Sequence, residues 1–447
     1  MGRYFGTDGI RGVANSELTP ELAYKLARAS AYRLEEDDNK LILIGKDTRI
    51  SGDMLEAALV AGYTSMGFNV KLLGVIPTPA VAHLVLEYKA EAGIVISASH
   101  NSFEFNGIKY FGSDGYKLPD KVENDIEDLI DNYKKIEERP VGKDLGKVIH
   151  SNDGFEKYKE YLKKCVASDF AGYKIVLDCG NGATYKIASE IYKELGAEVI
   201  AINTEPNGIN INDKCGSTHP EDLQKLVVEN NCDIGFAYDG DGDRLITVDE
   251  KGNLLDGDHF LAILSMYLKE KGKLENNGVV GTVMTNIGLG EFCNSKDINL
   301  IKASVGDRYV LETMLQEGYS IGGEQSGHII FKEHATTGDG VLSSLLLMKV
   351  VKEVSVKVSQ LNSLMTTYPQ VLVNAKVKNE FKRAYETDKD IQQEIKRVEE
   401  IFEGQGRVLI RPSGTEPLVR VMIEGKELEV LEREANKLAS LIESKFL

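Results

Sequence analysis

Cysteine is scarce in this chain: there are five in 447 residues (Cys165, Cys179, Cys215, Cys232 and Cys293), and no two form a CxxC pair. That scatter suits free thiols in a reducing compartment better than a disulfide framework or a zinc site. Positive charge is also short, with 53 lysines and arginines against 70 acidic residues and a net charge of −17. Such a balance argues against nucleic acid or an anionic membrane as a partner. Long apolar runs are missing too, and none approaches the roughly 18 residues that a membrane span requires. The opening MGRYFG has no apolar h-region, and Gly6 stands where a myristoylation signal carries Ser or Thr. These absences set the expectation of a cytoplasmic protein. There is no GxSxG elbow, so a hydrolase triad is disfavoured, and no low-complexity segment.

What is present is an ample apolar fraction, 42%, in a chain long enough for roughly three domains. Three stretches share one rhythm of apolar strand, loop, amphipathic helix and apolar strand: residues 40–75, 173–203 and, more loosely, 278–304. That rhythm is the signature of a βαβ unit in a mainly parallel sheet, and its recurrence predicts three related α/β domains. From about Tyr368 the pattern changes to short strands (VLVNAKV, RVLIRP, LVRVMIEG) alternating with charged helices near Ile391–Phe402 and Glu427–Phe446, as in a small α+β domain. Linkers are expected at 139–147, 248–257 and 364–369.

Four polar loops interrupt this pattern. DGDGDR places Asp239, Asp241 and Asp243 at alternate positions, where the carboxylates repel unless a cation neutralises them; all-oxygen ligands select a hard ion such as Mg²⁺, Ca²⁺ or Mn²⁺. An EF-hand fits poorly, because its sixth position should be Gly and is Arg244, and because both flanks read as strands. A solvated acidic turn is the plain alternative, and Arg244 is either a salt-bridge partner or a cation for a phosphoryl group. RPSGTEPLVRV sets Ser413, Gly414 and Thr415 between Arg411 and Arg420, the donors a phosphate monoester needs, although Pro-Ser-Gly is also an ordinary turn. SASHN closes an apolar strand on Ser97, Ser99, His100 and Asn101. With a metal loop and a phosphate cradle in the same chain, a phosphorylated serine is more plausible than an acylated one, against the alternative of a helix-capping turn. GEQSGH brings Glu324, Ser326 and His328 onto one loop suited to sugar hydroxyls, or to a surface turn with a structural histidine.

With YFGTDGIRG at the N-terminus, these motifs, in this order, resemble the α-D-phosphohexomutase superfamily over essentially the whole length. The resemblance implies four domains around one cleft, three mixed α/β and a C-terminal α+β, bounded at 1–155, 156–253, 254–366 and 367–447. It implies that Ser99 carries the phosphate and that Ser97 is a neighbour whose loss leaves most activity. It further implies Mg²⁺, one per active site, on Ser99, Asp239, Asp241 and Asp243, with Lys109, Arg11 and His100 handling protons and charge. The sugar would be held by Glu324, Ser326, His328 and Arg244, and its phosphate by Arg411, Ser413, Gly414, Thr415 and Arg420. The wording of FGTDGIRG and GEQSGH is similar to the branch acting on glucosamine phosphates. The implied reaction interconverts glucosamine 6-phosphate and glucosamine 1-phosphate through a bisphosphate, feeding UDP-N-acetylglucosamine and cell-wall precursor synthesis. Glucose or mannose phosphates are the alternative substrates, and a non-catalytic sugar-phosphate or metal binder is a further one. Glucosamine 1,6-bisphosphate or a similar hexose bisphosphate is the implied activator, a homodimer the implied assembly, and a kinase or autophosphorylation the source of the first phosphate on Ser99. One departure is Ser102, where many relatives carry Pro; it frees a φ angle and adds a hydroxyl.

Overall fold

A computed structural model describes residues 3–6, 8–34, 40–136, 139–150, 153–402, 405–413 and 417–447. The chain divides into two compact units, one of residues 1–285 and 296–364, the other of 286–295 and 365–447.

The first unit holds three sheets. Strands β1 (Ile10–Val13), β2 (Leu41–Lys46), β3 (Asn69–Val75), β4 (Ala92–Ile96), β5 (Phe105–Gly112) and β6 (Val148–His150) form the first, in the order β1-β5-β4-β2-β3-β6. β7 (Lys174–Asp178), β8 (Glu198–Ile202), β9 (Ile234–Tyr238), β10 (Leu245–Asp249) and β11 (Leu254–Leu255) form the second, ordered β11-β10-β9-β7-β8. β12 (Gly278–Thr282), β13 (Asn299–Ala303), β14 (Ile321–Gly323) and β15 (Ile329–Phe331) form the third, ordered β13-β12-β14-β15. The central strands read as unbroken apolar runs because helices cover both faces: β4, AGIVI, is buried along its whole length. On one face Ile42, Ile44, Ile94 and Ile96 cluster with Leu26, Leu55 and Leu59 from helices Pro20–Arg33 and Gly52–Thr64. Thr19 starts the first of these helices by accepting from Leu22 N at 3.2 Å, followed by proline at the first helical position.

The three sheets repeat one plan. In β3-β2-β4-β5, β8-β7-β9-β10 and β13-β12-β14-β15 the first two joins are parallel and the last antiparallel. The sheets are mixed, as the resemblance implies, because the third strand of each parallel set turns straight back on itself. The loops at those turns are 97–104, 239–244 and 324–328, which carry SASHN, DGDGDR and GEQSGH. One of the expected linkers is built into a sheet, and another leads up to a strand. Residues 248–257 form a hairpin, Thr247 pairing with Leu255, and 139–147 lead into β6, which extends β3 in parallel. The stretch 364–369 does fall at the boundary between units.

The second unit is the expected α+β arrangement. Strands β16 (Gln370–Lys376), β17 (Arg407–Pro412) and β18 (Leu418–Glu424) pair antiparallel with β18 in the centre. Helix Leu428–Phe446 sets Leu431, Ala435, Leu438 and Ile442 against Val419, Val421 and Ile423. Helix Lys389–Ile401 is capped by Asp388, whose carboxylate accepts from Asp390 N and Ile391 N. Helix Ile287–Ser295 groups with this unit, its first N–H bonded to Glu424 Oε1 at 2.9 Å.

Candidate active site

Ser99 sits where β4 turns toward β5, with φ at +53°, a left-handed conformation costly for a residue with a Cβ. The surroundings hold it there. Ser97 Oγ accepts from Ser99 N at 2.9 Å and donates to Asp47 Oδ2 at 2.5 Å. The Ser99 carbonyl accepts from Arg49 Nη2 at 3.1 Å and from Asn212 Nδ2 at 2.9 Å. Arg49 and Asp47 form an ion pair with no exposed side-chain surface. The hydroxyl donates to Asp239 Oδ2 at 2.6 Å, and His100 Nδ1 lies 3.3 Å from it. Burial, with Arg244 and Arg11 nearby, lowers the imidazole of His100 to about 4, so it is neutral at pH 7.

Asp239, Asp241 and Asp243 occupy the turn from β9 to β10, all buried, each offering a carboxylate oxygen within 4.8 Å of the others. Three other segments grip this turn. Thr78 donates from N to the Asp241 carbonyl and from Oγ1 to Oδ2, at 2.9 and 2.6 Å. Ala183 N donates to Gly240 O at 2.8 Å, and Gly340 N to Gly242 O at 2.9 Å. Gly240 has to be glycine, since a Cβ there would lie 2.6 Å from the Ser99 carbonyl oxygen. The carboxylates are not equivalent. Burial and repulsion from Asp243 and Asp241 raise Asp239 well above the carboxylate range, whereas Lys109, His328 and Arg244 overcome burial and hold Asp243 well below it. Oδ1 of both Asp241 and Asp243 is buried and accepts no hydrogen bond among the described residues, although Arg244 Nε lies 3.9 Å from that of Asp243. An all-oxygen set with two orphaned acceptors fits a hard cation. The flanking strands rule out an EF-hand.

Lys109, on β5, reaches Asp241 Oδ2 at 2.8 Å, Asp8 Oδ2 at 2.9 Å and Asp243 Oδ2 at 3.5 Å. Burial disfavours its charge, but the aspartates prevail and keep it firmly protonated. Asp8 also pairs with Arg11 and with Lys117, and Lys117 pairs with Asp307. His328 is buried between Asp243, 3.6 Å from Nδ1, and Asp307, 3.5 Å from Nε2. These carboxylates raise its basicity against burial, yet the Gly338 N–H points at Nε2 from 2.9 Å and needs a lone pair there. The ring is therefore neutral, with its proton on Nδ1 toward Asp243. Arg244 donates its backbone N–H to Asp239 Oδ1 at 3.1 Å, while its buried Nε lies 3.9 Å from Asp243 Oδ1 and makes no hydrogen bond among the described residues. Glu324 Oε1 accepts from Gly306 N at 3.0 Å; Ser326 Oγ is buried without a partner among the described residues.

The first unit thus brings Ser99, His100, Lys109, Arg11, the aspartates, Arg244 and His328 together. Sequence reading missed Asp8, Asp47, Arg49, Thr78, Lys117, Asn212 and Asp307. A signal for two of them was available: KDTR follows directly on buried parallel β2, at the carboxyl end where open α/β sheets bind ligands. In the second unit Arg411 and Arg420 face each other across β17 and β18, and Ser413 is 6% exposed. Gly414 and Thr415 lie outside the described residues.

Models of the phosphoglucomutase/phosphomannomutase family match in four consecutive pieces: alpha/beta/alpha domain I over residues 2–137, domain II over 156–252, domain III over 256–368 and the C-terminal domain over 372–441. The chain belongs to this family. Among its curated members, a phosphoglucosamine mutase of Finegoldia magna is 57% identical over 445 residues, covering 100% of this chain and 99% of the relative. Another, of Clostridioides difficile, is 54% identical over 446 residues, with both chains covered completely. Solved structures share the fold at lower identity. A phosphoglucomutase/phosphomannomutase family protein of Burkholderia thailandensis superimposes with a TM-score of 0.80 at 22% identity, covering 98% of each chain. Aspergillus fumigatus N-acetylphosphoglucosamine mutase, in complex with GlcNAc-6P and magnesium, does so with a TM-score of 0.71 at 17% identity, covering 100% of this chain and 96% of its own. Among the described residues no helix is long and apolar enough to cross a membrane.

Proposed function

We propose that the chain is a phosphosugar mutase that interconverts glucosamine 6-phosphate and glucosamine 1-phosphate through a phosphate on Ser99 and glucosamine 1,6-bisphosphate. The observation that carries this reading is Ser99: a strained backbone, pinned on both sides, with Oγ 2.6 Å from one of three clustered carboxylates. The choice of amino sugar rests on the relatives named phosphoglucosamine mutase at 54–57% identity.

In the first half-reaction the Ser99 Oγ–P bond breaks as a bond forms from phosphorus to the free sugar hydroxyl oxygen, and the hydroxyl proton ends on Ser99 Oγ, restoring the free serine. The bisphosphate turns end for end, and its other phosphoryl group returns to Ser99, so no phosphate is consumed. His100, neutral and 3.3 Å from Oγ, is placed to take and return the proton. Lys109 is locked as a cation by three aspartates and offsets charge instead of moving a proton; Arg11 shares that role beside Asp8. Asp239, Asp241 and Asp243, with the Ser99 phosphate, would hold Mg²⁺, which supplies positive charge to the transferring phosphoryl group. His328 fixes Asp243, while Glu324, Ser326 and Arg244 are left for sugar and phosphoryl oxygens. Arg411 and Arg420, a like-charged pair directly across two strands, suit an anion with Ser413 beside it.

The test offers purified protein, Mg²⁺ and a trace of glucosamine 1,6-bisphosphate each of glucosamine, glucose and mannose 6-phosphates. Formation of glucosamine 1-phosphate in clear preference supports the reading. Preference for a neutral hexose overturns the substrate, and turnover by a Ser99→Ala variant overturns the mechanism.

A further inference from the structure

Away from Ser99 and the aspartates, a cavity of about 370 Å³ opens beside the end of helix Asp153–Val166 and the helices around the third sheet. None of its lining residues belongs to the site described above. Its floor is apolar, made by Leu264, Leu268, Phe331, Leu346 and Val350, with Leu264 and Phe331 themselves buried. Its rim is charged. Lys271 is matched by Glu353 at 2.8 Å, but Lys273 and Lys349 make no ion pair among the described residues. Burial lowers the His334 imidazole on the rim, opposed by Glu333 and aided by Lys349 and Lys273. Three lysines against two glutamates, Glu333 and Glu353, leave the lining with one net positive charge in a chain of net charge −17.

We propose that this cavity binds a small organic anion with an apolar body, a ring or short chain on the leucine and phenylalanine floor and one carboxylate or phosphate against Lys273 and Lys349. The volume lies within the range of small-molecule sites, and five apolar side chains beside a set of charged ones give both an apolar body and an anionic group something to contact. A phosphosugar does not match it, because sugar hydroxyls laid on this floor would lose water without gaining partners. The lining comes from two α/β layers: Cys165 ends the helix before the second sheet, and Tyr161 of that helix donates to the His334 carbonyl. An occupant therefore bridges the helix of one sheet to the strands and helices of the next.

Cys165 makes the site measurable, because it lines the cavity and the other four cysteines are buried. The probe is 8-anilinonaphthalene-1-sulfonate, an aromatic body with one fixed negative charge, titrated into the full chain and followed by fluorescence. Expected are one bound probe per chain, slower alkylation of Cys165 by iodoacetamide when it is bound, and at least about a tenfold weaker affinity in the surface variant K273E/K349E. An excess of glucosamine 6-phosphate leaves the probe in place. Failure of the probe to bind, an unchanged affinity in K273E/K349E, an unslowed alkylation of Cys165, or displacement by glucosamine 6-phosphate each overturns the proposal.

Discussion

On the proposed mechanism, the chemistry at Ser99 depends on groups that never react. Its hydroxyl is aimed by a bond from Ser97 to its own N–H and by two donors on its carbonyl, so removal of the nucleophile and removal of its support should differ in degree. Ser99→Ala should lower turnover by roughly three orders of magnitude or more in the mutase assay. Ser97→Ala should lower it about tenfold, the cost of one hydrogen bond, and not leave it nearly intact as a bystander role implies. Arg49 is the harsher case. Replacing it with Met leaves the Asp47 carboxylate buried and unpaired, at a cost of about 3–5 kcal/mol in urea unfolding. Asp339 titrates in the accessible range. It caps helix Gly340–Val354, accepts from Tyr158 OH at 2.6 Å, and is raised by burial to about 6. Between its unfolded value near 4 and that raised value the folded state binds more protons, so its contribution falls as pH rises, by about 3 kcal/mol in all. Asp339→Asn keeps a capping oxygen and should remove this slope, read as wild type minus variant in unfolding free energy from pH 4 to 7.

At the scale of elements, the decisive feature is the turn between a parallel strand and its antiparallel neighbour. Such turns were easy to read where composition changes abruptly, as from GIVI to SASHN or from FAY to DGDGDR, and the strands and helices of the last domain fell within one or two residues of their expected limits. What the sequence hides is partnership. Nothing in KDTR states that Arg49 reaches the Ser99 carbonyl fifty residues later, or that Thr78 holds Asp241, because these contacts exist only once separate hairpins meet. The stretch 248–257 shows a related limit: the boundary between family domains II and III falls inside it, yet it folds as a hairpin with β10, a pairing that its polar turn residues do not announce. Gly240 measures how closely two such turns approach. Gly240→Ala should force the Ser99 and aspartate turns apart, removing most mutase activity while costing about 1–3 kcal/mol in thermal unfolding.

For the whole molecule, the aspartate cluster is a stored electrostatic penalty in the apo state. Neutralising it should raise the melting temperature on addition of Mg²⁺, reversibly with EDTA, and the shift should shrink in Asp241→Asn, where one repelling charge is already gone. An unchanged melting temperature in the wild type would count against the cation. The repeat of one strand plan three times over also sets a schedule. Ser99 and Asp239 are separated by 140 residues, and the grip on the aspartate turn is completed only by Gly340. During synthesis the first sheet can close, β6 included, while the ribosome has yet to make any of the carboxylates that Ser99 addresses. On the proposed role of Ser99, a nascent chain therefore displays the serine long before the carboxylates it addresses exist. The complete set of contacts around it can form only late in translation, once Gly340 has been made.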